Sequence, residues 1–391
     1  MTWVIHRKMM LSLLMVSMLL FTAACGSSIP AQSAPSKEPA GNTPTTISGN
    51  TATTKSGDDW NQILVEAKKE GKLVIMTHPG ETEKAWVAAF QKAYPDIKVQ
   101  QTGARPSDFS PKLISEQKNG QYLWDMMVAS TTNMVEVLSP TGAFQDIRPF
   151  FPEKEIVDDS KWRGGFELYA HNMTNKTEIL LNSLDRLSRD IHVNRDLLPE
   201  SQFNSLDDLM KPELKGKIVL DDPKVPAHGS LSLTGILNAK GEDFVRKLFI
   251  EQKPVIVDDV FMGTKWVAEG RYPIMLGGDY FRLEKLKESG LGKNVATFSF
   301  EGESVITKGA AVFKNAPHPN ATKIFLRWYL SQEGQSIWAK SVGYNSRRSD
   351  VPVYVEEILP KFDKLDSYSQ QGTEKGTVLM AKIREIYKSV K

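Results

Sequence analysis

The sequence contains almost no cysteine: Cys25 is the only one among 391 residues. A lone cysteine cannot form an internal disulfide, so no covalent cross-link within the chain holds the fold. Because a free, exposed thiol is also chemically reactive, the position of Cys25 needs a chemical explanation.

The sequence also lacks an excess of charge of either sign. It has 49 Lys and Arg against 47 Asp and Glu, a formal net charge of +2. Removal of residues 1–24 would take away two cations, Arg7 and Lys8, and no acid, which leaves the two signs in balance. Nucleic-acid binding needs a concentrated basic surface, so the composition gives no electrostatic case for a nucleic acid or another highly charged polymer as partner.

Catalytic motifs are absent as well. The sequence has no G-x-S-x-G, H-E-x-x-H, P-loop or G-x-G-x-x-G pattern. These absences exclude the hydrolase, zinc-protease and nucleotide-binding enzymes that depend on those patterns. The chain is therefore predicted not to be an enzyme and to need no cofactor. The alternative is a hydrolase that uses a pair of carboxylates in a cleft, because such a pair has no sequence motif.

What is present begins with the layout of a secretory signal. Arg7 and Lys8 form a basic start, Met9–Phe21 is almost wholly apolar, and the small residues Thr22–Ala24 precede Cys25. The apolar run is shorter than the ~20 residues that a membrane-crossing helix needs. A signal peptide is therefore predicted over residues 1–24.

The end of this segment resembles the lipobox of bacterial lipoproteins, in which a small residue precedes an acylated cysteine. Thr22 stands where leucine is commonest in that motif. The resemblance implies that Cys25 becomes the lipid-bearing N-terminus of a protein anchored to the outer side of the bacterial cell membrane. An ordinary signal peptide with an incidental cysteine and a retained membrane anchor are the alternatives. Residues 25–57 are rich in Ser, Thr, Pro, Ala and Gly, which predicts a flexible tether.

From residue 58 onward, short apolar runs alternate with amphipathic helical patterns. Asp58 and Asp59 are placed to cap a first helix and Gly71 to end it, and the strand "KLVIMTH" follows. Such alternation predicts an α/β fold with parallel-rich sheets covered by helices. The chain is longer than one typical core, so two lobes are expected. The predicted boundaries are 58–165 for the first lobe, completed by about 305–391, and 166–304 for the second, with an extended joint over 166–183.

Several phrases match a known family in its own order. They are "AKKEGKLVI", "SEQKNGQYLWDMMVAS", "GAFQDIRPF", "LKGKIVLDDP" and "KNAPHPNATKIFLRWYLSQEGQSIWAKSVGYNSRRSDV". Together they resemble bacterial solute-binding proteins of the ferric-iron ABC importer type. The resemblance implies a type II periplasmic-binding fold, in which two hinged lobes close on one small ligand. It also implies an ABC permease as partner and a monomeric protein.

The ligand is expected beyond the carboxyl ends of the strands, where loops and helix N-termini meet. The alternative for each residue there is a structural role as a turn or helix cap. The candidate ligand contacts are His78, Glu81, Ser130 and Thr131 in the first lobe, and His228, Gly229, Ser230, Gly278, Asp279 and Tyr280 in the second.

The resemblance raises the question of iron as the transported ligand. Iron-binding relatives hold Fe³⁺ with hard oxygen ligands that include two adjacent tyrosines. Here Tyr280 is followed by Phe281, so only one tyrosine is present. His78, Glu81 and Tyr280 are the metal ligands only if iron is bound directly. A chelated iron complex, or a small organic anion such as a phosphonate held by Ser130, Thr131 and Ser230, is the alternative.

The predicted function is that of a membrane-anchored, extracytoplasmic solute-binding protein that delivers its ligand to an ABC importer. Its mechanism would be hinge closure, in which contacts from both lobes stabilise the closed state. A ligand-sensing lipoprotein that feeds a membrane sensor, or a cleft hydrolase, remains the alternative.

Overall fold

The computed structural model describes residues 59–151, 153–154, 156–166 and 180–391, with the backbone alone for 180–182. The predicted signal peptide, Cys25 and the tether of residues 25–57 lie outside the described residues. So does most of the predicted joint. Within the described ranges, no helix combines the length and the apolar character needed to cross a membrane.

The helices begin and end where local signals predict. The side chain of Asp59 accepts hydrogen bonds from two backbone N–H groups at the start of the first helix, and Gly71 ends it with a left-handed φ of 63°. The helices of the described part are α1 (Trp60–Glu70), α2 (Glu81–Ala93), α3 (Pro106–Lys118), α4 (Thr131–Asn133), α5 (His228–Lys240), α6 (Glu242–Lys247), α7 (Val260–Ala268), α8 (Tyr280–Glu288), α9 (Pro319–Leu330), α10 (Gln332–Val342) and α11 (Glu374–Val390).

The described strands form two separate sheets, one in each lobe. The first lobe is built on a seven-stranded sheet in the order β11-β4-β10-β3-β1-β2, with β12 beside β10, and the second lobe on a five-stranded sheet in the order β7-β6-β8-β5-β9. The strands are β1 (Lys72–Thr77), β2 (Lys98–Gly103), β3 (Met126–Ser130), β4 (Leu180–Leu187), β5 (Ile191–Asn194), β6 (Ile218–Asp221), β7 (Val255–Val257), β8 (Ile274–Leu276), β9 (Val295–Thr297), β10 (Ser304–Val312), β11 (Asn345–Ser346) and β12 (Ser369–Gln370).

The sheets are mixed, with a parallel centre in each lobe. Strands β2, β1 and β3 run parallel in the first lobe, as do β7, β6 and β8 in the second. In contrast, β10 is antiparallel to both β3 and β4, and β5 is antiparallel to β8 and β9. Helix-and-strand alternation predicts the parallel strands because each of them needs a crossover helix. Strands β5 and β10 are instead entered from the other lobe, so no crossover helix in their own lobe signals them.

The chain passes between the lobes later than the predicted joint. It leaves the first sheet at Leu187 and enters the second at Ile191, and it returns between Thr297 and Ser304. Strand β4 stays paired with β10 as far as Leu187, so the lobes cannot separate before that ladder ends. The domain boundaries themselves stay a prediction.

Helix α11 packs mainly on the second lobe, although the sequence analysis assigned residues 305–391 to the first. It also contacts the first lobe, through Met380 and through Arg384, whose Nη1 lies 3.2 Å from Glu136 Oε2. Ile383 and Ile386 are fully buried in the core of the second lobe, and α11 lies against α5 and α6. The apolar stripe of α11 shows that the helix docks, but a stripe does not specify which lobe receives it.

Aromatic packing dominates the core of the first lobe. Measured between ring centroids, Trp86 of α2 lies 5.9 Å from Trp338 and 6.0 Å from Phe325. The centroid of Phe90 lies 5.0 Å from that of Phe325. These rings join α2 to α9 and α10 beneath the sheet. The N-terminal end of α2, which carries the first-lobe candidates after Thr77, is therefore held on a rigid support.

Candidate functional site

The first lobe brings two of the predicted residues together at adjacent strand ends. His78 follows β1 and Ser130 ends β3, and the His78 Nε2 atom accepts a hydrogen bond of 3.1 Å from the backbone N–H of Ser130. Burial and, to a lesser extent, the nearby charge of Lys308 lower the pKa of His78 to about 3. The imidazole is therefore neutral at physiological pH, and its Nε2 lone pair is already engaged by the protein.

Beside this pair lies an ion pair that the sequence analysis did not predict. Lys308 of β10 stands opposite Ser130 in the antiparallel register, and its Nζ lies 2.9 Å from Glu83 Oε1. The other oxygen of Glu83 accepts a 2.7 Å hydrogen bond from Trp86 Nε1. The Lys308 and Glu83 side chains are only 12% and 4% exposed. Both carboxylate oxygens of Glu83 therefore have a partner in the protein.

Glu81, the predicted acid of this loop, lies away from these groups. Its side chain is 86% exposed and pairs with Lys84 at 2.8 Å. Both glutamates stand in the first turn of α2. A difference of two residues turns a helical side chain by more than half a turn, so Glu83 faces Lys308 while Glu81 faces solvent.

Thr131 points into the protein. Its buried hydroxyl contacts the hydroxyl of Thr307, and the Thr307 hydroxyl also donates to the backbone carbonyl of Gln371 at 3.2 Å. A ligand contact by the Thr131 side chain would need this buried arrangement to open.

In the second lobe, His228 and Asp279 come together at the N-termini of α5 and α8, the helices that follow β6 and β8. The distance from His228 Nε2 to Asp279 Oδ2 is 3.8 Å. Asp279 also caps α8, since its Oδ1 accepts a hydrogen bond of 2.8 Å from the backbone N–H of Arg282. Burial lowers the pKa of His228, and the negative charge of Asp279 opposes that shift. Among the described residues, His228 Nδ1 is buried without a hydrogen-bond partner.

The two glycines of this region have packing roles that the structure makes explicit. A Cβ added at Gly229 would lie 1.9 Å from the backbone oxygen of Asp221, and one at Gly278 would lie 2.3 Å from the ring of His192. Ser230 bonds the backbone of Ala227, donating to its carbonyl at 2.9 Å and accepting from its N–H at 3.0 Å. The space beside Gly278 is thus filled by His192, and the Ser230 hydroxyl caps its own helix.

Tyr280 and Phe281 extend from the second lobe towards the first. The Tyr280 hydroxyl lies 3.4 Å from Glu357 Oε1, and burial together with that carboxylate raises the pKa of Tyr280 to about 12. The ring of Phe281 stacks on Tyr344 with centroids 6.0 Å apart and planes 23° from parallel. Tyr344 lies between α10 and β11 of the first lobe, so this stack joins the two lobes.

Two cations lie against this aromatic stack. The guanidinium of Arg186 is 5.2 Å from the Phe281 centroid and 5.3 Å from that of Tyr344. The ammonium of Lys308 is 4.9 Å from the Tyr344 centroid. Distances of this size are typical of cation–π attraction. We call His78, Glu83, Arg186, Phe281, Lys308 and Tyr344 the cleft cluster.

Arg186 is the most enclosed cation of the cleft cluster. It is 3% exposed, and its Nη1 donates to the backbone oxygens of Leu187 at 3.0 Å and Ser188 at 2.7 Å. Among the described residues its Nε has no hydrogen-bond partner. The nearby carboxyl of Asp190 neutralises it only in part, because burial and the charge of Glu303 raise the pKa of Asp190 to about 7.

Sequence reasoning missed Glu83, Arg186, Lys308 and Tyr344 for different reasons. Lys308 is the one charged residue in the otherwise uncharged and buried strand "SVITKGAAV", which is a signal that could have been used. Arg186 and Tyr344 reach the cleft cluster only because β4 and the segment after α10 are folded against it. Their local sequence shows nothing distinctive.

The three predicted metal ligands are not assembled. Glu81 is exposed, His78 is bonded to Ser130, and Tyr280 is bonded to Glu357. Across the described ranges, no group of three or more His, Cys, Asp or Glu residues is arranged to hold a metal ion. The residues present do not fit a bare ferric ion.

Comparison with known proteins identifies the kind of chain to which this architecture belongs. A family model described as "Bacterial extracellular solute-binding protein" matches residues 76–336, more than half of the chain.

Solved structures share the fold at low identity. The Trichodesmium protein IdiA (FutA), in complex with iron and citrate ligands, is 18% identical with a TM-score of 0.61, over 82% of this chain and 99% of that one. Iron-bound HitA from Pseudomonas aeruginosa is 18% identical with a TM-score of 0.59, over 81% and 99% of the two chains. AfuA from Actinobacillus pleuropneumoniae, with fructose-6-phosphate bound, is 18% identical with a TM-score of 0.59, over 82% and 98%. These similarities establish the two-lobed periplasmic-binding fold.

Proposed function

The chain belongs to the bacterial extracellular solute-binding proteins, and from that premise we propose that it captures a small solute bearing anionic oxygens between its lobes and delivers it to an ABC importer. The observation that carries the proposal is the position of Arg186, whose guanidinium lies against one ring from each lobe. A ligand held there contacts both lobes and stabilises their closed arrangement.

The chemistry of Arg186 favours an oxyanion. Its planar guanidinium matches the geometry of carboxylate and phosphate groups, which accept paired N–H donors. A buried N–H without an acceptor is costly, and the Nε of Arg186 is such a group among the described residues. A carboxylate, phosphate or phosphonate oxygen of the ligand supplies the missing acceptor.

Two relatives support the same ligand class. The Trichodesmium protein was solved with iron and citrate, and the Actinobacillus protein with fructose-6-phosphate. Citrate and sugar phosphates both present anionic oxygens. Two kinds of ligand present these anionic oxygens: a free organic anion, and the same anion bound to a metal ion as a chelate. A binding screen distinguishes them.

A thermal-shift screen tests the ligand class. Citrate, ferric citrate, a sugar phosphate and an alkyl phosphonate are the probes, with an uncharged sugar and a polyamine as controls. A ligand that binds only the native state adds about 2.7 kcal/mol at a hundredfold excess over its Kd. We expect at least one oxyanion, and neither control, to raise the unfolding temperature by several degrees. A shift with the polyamine or the uncharged sugar alone contradicts the assignment.

We further propose that the protein acts at the outer face of the membrane through a lipid on Cys25. The basic, apolar and small-residue segments before Cys25, followed by a polar tether, support this location. Mass spectrometry of the mature N-terminus tests it. The expected product begins at an acylated Cys25, and Cys25→Ala releases the protein from the membrane fraction. An uncut N-terminus refutes the anchor while leaving the binding role intact.

A further inference from the structure

A buried carboxyl that the proposed function does not use lies where the chain first passes between the lobes. Asp190 stands between β4 and β5 and is 2% exposed. Its backbone oxygen accepts a hydrogen bond of 2.7 Å from the backbone N–H of Gly278, just after β8. The two crossings of the chain are bonded to each other here, since the N–H of Ser188 donates to the carbonyl of Ser304 at 2.8 Å. Asp190 therefore sits at the hinge side of the cleft, in a part of the backbone that is held on both sides.

The charged groups around the Asp190 carboxyl come from both crossings. Arg186 of β4 favours its ionised form, and Glu303, just before β10, opposes that form. Glu303 has partners of its own: Arg189 Nη1 lies 3.4 Å from its Oε1, and the hydroxyl of Ser299 donates to the same oxygen at 2.6 Å. Because Arg189 pairs with Glu303, Arg186 is the cation left to balance Asp190.

The remaining neighbours of the Asp190 carboxyl are uncharged. The Ser188 and Ser232 side chains lie close enough to favour its ionised form. His192, two residues along the chain, is neutral because burial lowers its pKa to about 3. Among the described residues, Asp190 Oδ2 is buried without a hydrogen-bond partner, as is Nε of Arg186. The pair thus consists of two enclosed, opposite charges, each with one polar atom left unsatisfied by the protein.

We propose that Asp190 is the internal counter-ion of Arg186, and that an oxyanion bound at Arg186 takes over this role while Asp190 gains a proton from the solvent. The inference rests on the proposed function, because it concerns the same cleft and the same class of ligand. Asp190 is then a positioning residue. It does not touch the ligand, and it sets how strongly Arg186 attracts one.

Electrostatics couples the anion to the proton. Two negative groups beside one guanidinium repel each other, and the repulsion is strong where water is excluded. Protonation of Asp190 removes one of the two charges, as it does in other sites where carboxylates crowd together. The pKa of Asp190 is already raised to about 7 by burial and by Glu303. A bound anion raises that pKa further, so the carboxyl of the complex is protonated at neutral pH.

Proton linkage gives the direction of the pH dependence. The complex holds more protons than the free protein wherever pH lies between the pKa of Asp190 in the free protein, about 7, and its higher pKa in the complex. Affinity for the anion therefore falls as pH rises through this range, by up to about tenfold per pH unit. Outside the range the protonation of Asp190 no longer changes on binding, and the affinity levels off.

Titration calorimetry of the full mature protein at pH 7, 8 and 9 tests the inference. The probe is citrate or, if citrate gives no thermal shift, fructose-6-phosphate. Each titration is repeated in Tris and in triethanolamine, two cationic buffers whose different ionisation enthalpies reveal the number of protons taken up. Both probes lose protons as pH rises, which strengthens their attraction to Arg186. A loss of affinity with rising pH therefore cannot come from the probe.

Asp190→Asn is the informative variant, because asparagine keeps the shape of the protonated carboxyl and cannot ionise. The matched control is Glu136→Gln. Glu136 is another enclosed carboxyl beside an arginine, 10% exposed and 3.2 Å from Arg384, and it lies outside the cleft cluster.

We expect wild type and Glu136→Gln to bind the probe about five- to tenfold more weakly at pH 9 than at pH 7, with uptake of protons. Asp190→Asn should take up none. Its affinity should be the same at both pH values and at least as high as that of wild type at pH 7. A purely structural role for Asp190 would change the affinity without removing its pH dependence.

Binding by wild type without proton uptake overturns the inference, and so does a pH dependence that persists unchanged in Asp190→Asn. If Asp190→Asn does not fold, the proton count of wild type still decides, together with carbon-13 NMR of its labelled aspartate carboxyls. A buried carboxyl should titrate near pH 7 without the probe and at higher pH with it, and an unshifted titration contradicts the coupling. Failure of every oxyanion to bind overturns the proposed function, whereas binding at a constant affinity from pH 7 to 9 overturns this inference alone.

Discussion

The ion pair between Glu83 and Lys308 gives the sharpest stability prediction. Breaking a buried pair from one side leaves the remaining charge without a partner and typically costs about 3–5 kcal/mol, whereas replacing both members is far less costly. The pair is 2.9 Å long with side chains 12% and 4% exposed, so it falls in the buried class. We therefore expect Lys308→Met to lower the free energy of unfolding by about 3 kcal/mol.

Glu83→Gln should cost a similar amount, about 3 kcal/mol, because the glutamine oxygen can still accept the hydrogen bond from Trp86 but the Lys308 ammonium loses its counter-charge. The double variant Lys308→Met/Glu83→Gln removes both charges, so its loss of stability should be smaller than the sum of the two single losses. The expected coupling energy is roughly 1–3 kcal/mol. Urea unfolding at pH 7, followed by tryptophan fluorescence, measures all four proteins.

The pair Lys112 and Glu116 is the matched control for this cycle. The Lys112 side chain is 60% exposed, so Lys112→Met should change stability by less than about 1 kcal/mol. If Lys308→Met costs no more than the Lys112 variant, the pair is not buried in solution. The enclosed geometry of the cleft cluster would then be wrong.

Three further predictions concern the ligand, pH and packing. Phe281→Ala removes one half of the stack that joins the lobes, and it should weaken ligand binding measured by calorimetry by about 1–2 kcal/mol. The control is Phe261→Ala, which removes a ring that contacts Arg282 outside the cleft cluster and should leave binding unchanged. Equal losses of binding affinity in the two variants argue against the site. Because the pKa of His78 is lowered to about 3 in the folded protein, the unfolded chain binds the extra proton first as pH falls below ~6.5, and stability should drop with decreasing pH by up to ~1.4 kcal/mol per unit from this residue. Unfolding of His78→Gln between pH 4 and 6.5 should show a shallower slope than wild type, and identical slopes contradict the assignment. Gly229→Ala places a Cβ 1.9 Å from a backbone oxygen and should cost more than about 1–3 kcal/mol in urea unfolding; a neutral effect would show that the turn relaxes freely.

Much of the site could be located from the sequence, because the ends of parallel strands are a local feature. The loop after β1, the end of β3 and the N-termini of α5 and α8 were all predicted. His78 and Ser130 lie at strand ends, and His228 and Asp279 lie at the N-termini of α5 and α8. The roles of the individual residues there stay predictions. The direction of a helical side chain depends on its angular position around the helix axis. For this reason the sequence analysis chose Glu81, although Glu83 is the residue that faces inward.

The sequence by itself determined most of the helices and the apolar strands at the parallel centre of each sheet. Caps such as Asp59 and Gly71, and the apolar strands between them, act over a few residues, so their physics is complete within the local sequence. It also determined the α/β class and the presence of two lobes.

Only the tertiary structure decided the chemistry of the cleft. Arg186, Phe281, Lys308 and Tyr344 come from four distant segments, and they meet because β4 and β10 pair in one sheet while α8 reaches across from the other lobe. The antiparallel pairing that places Lys308 opposite Ser130 is likewise non-local. Contacts between segments far apart in sequence depend on how whole lobes pack, and no local pattern encodes them.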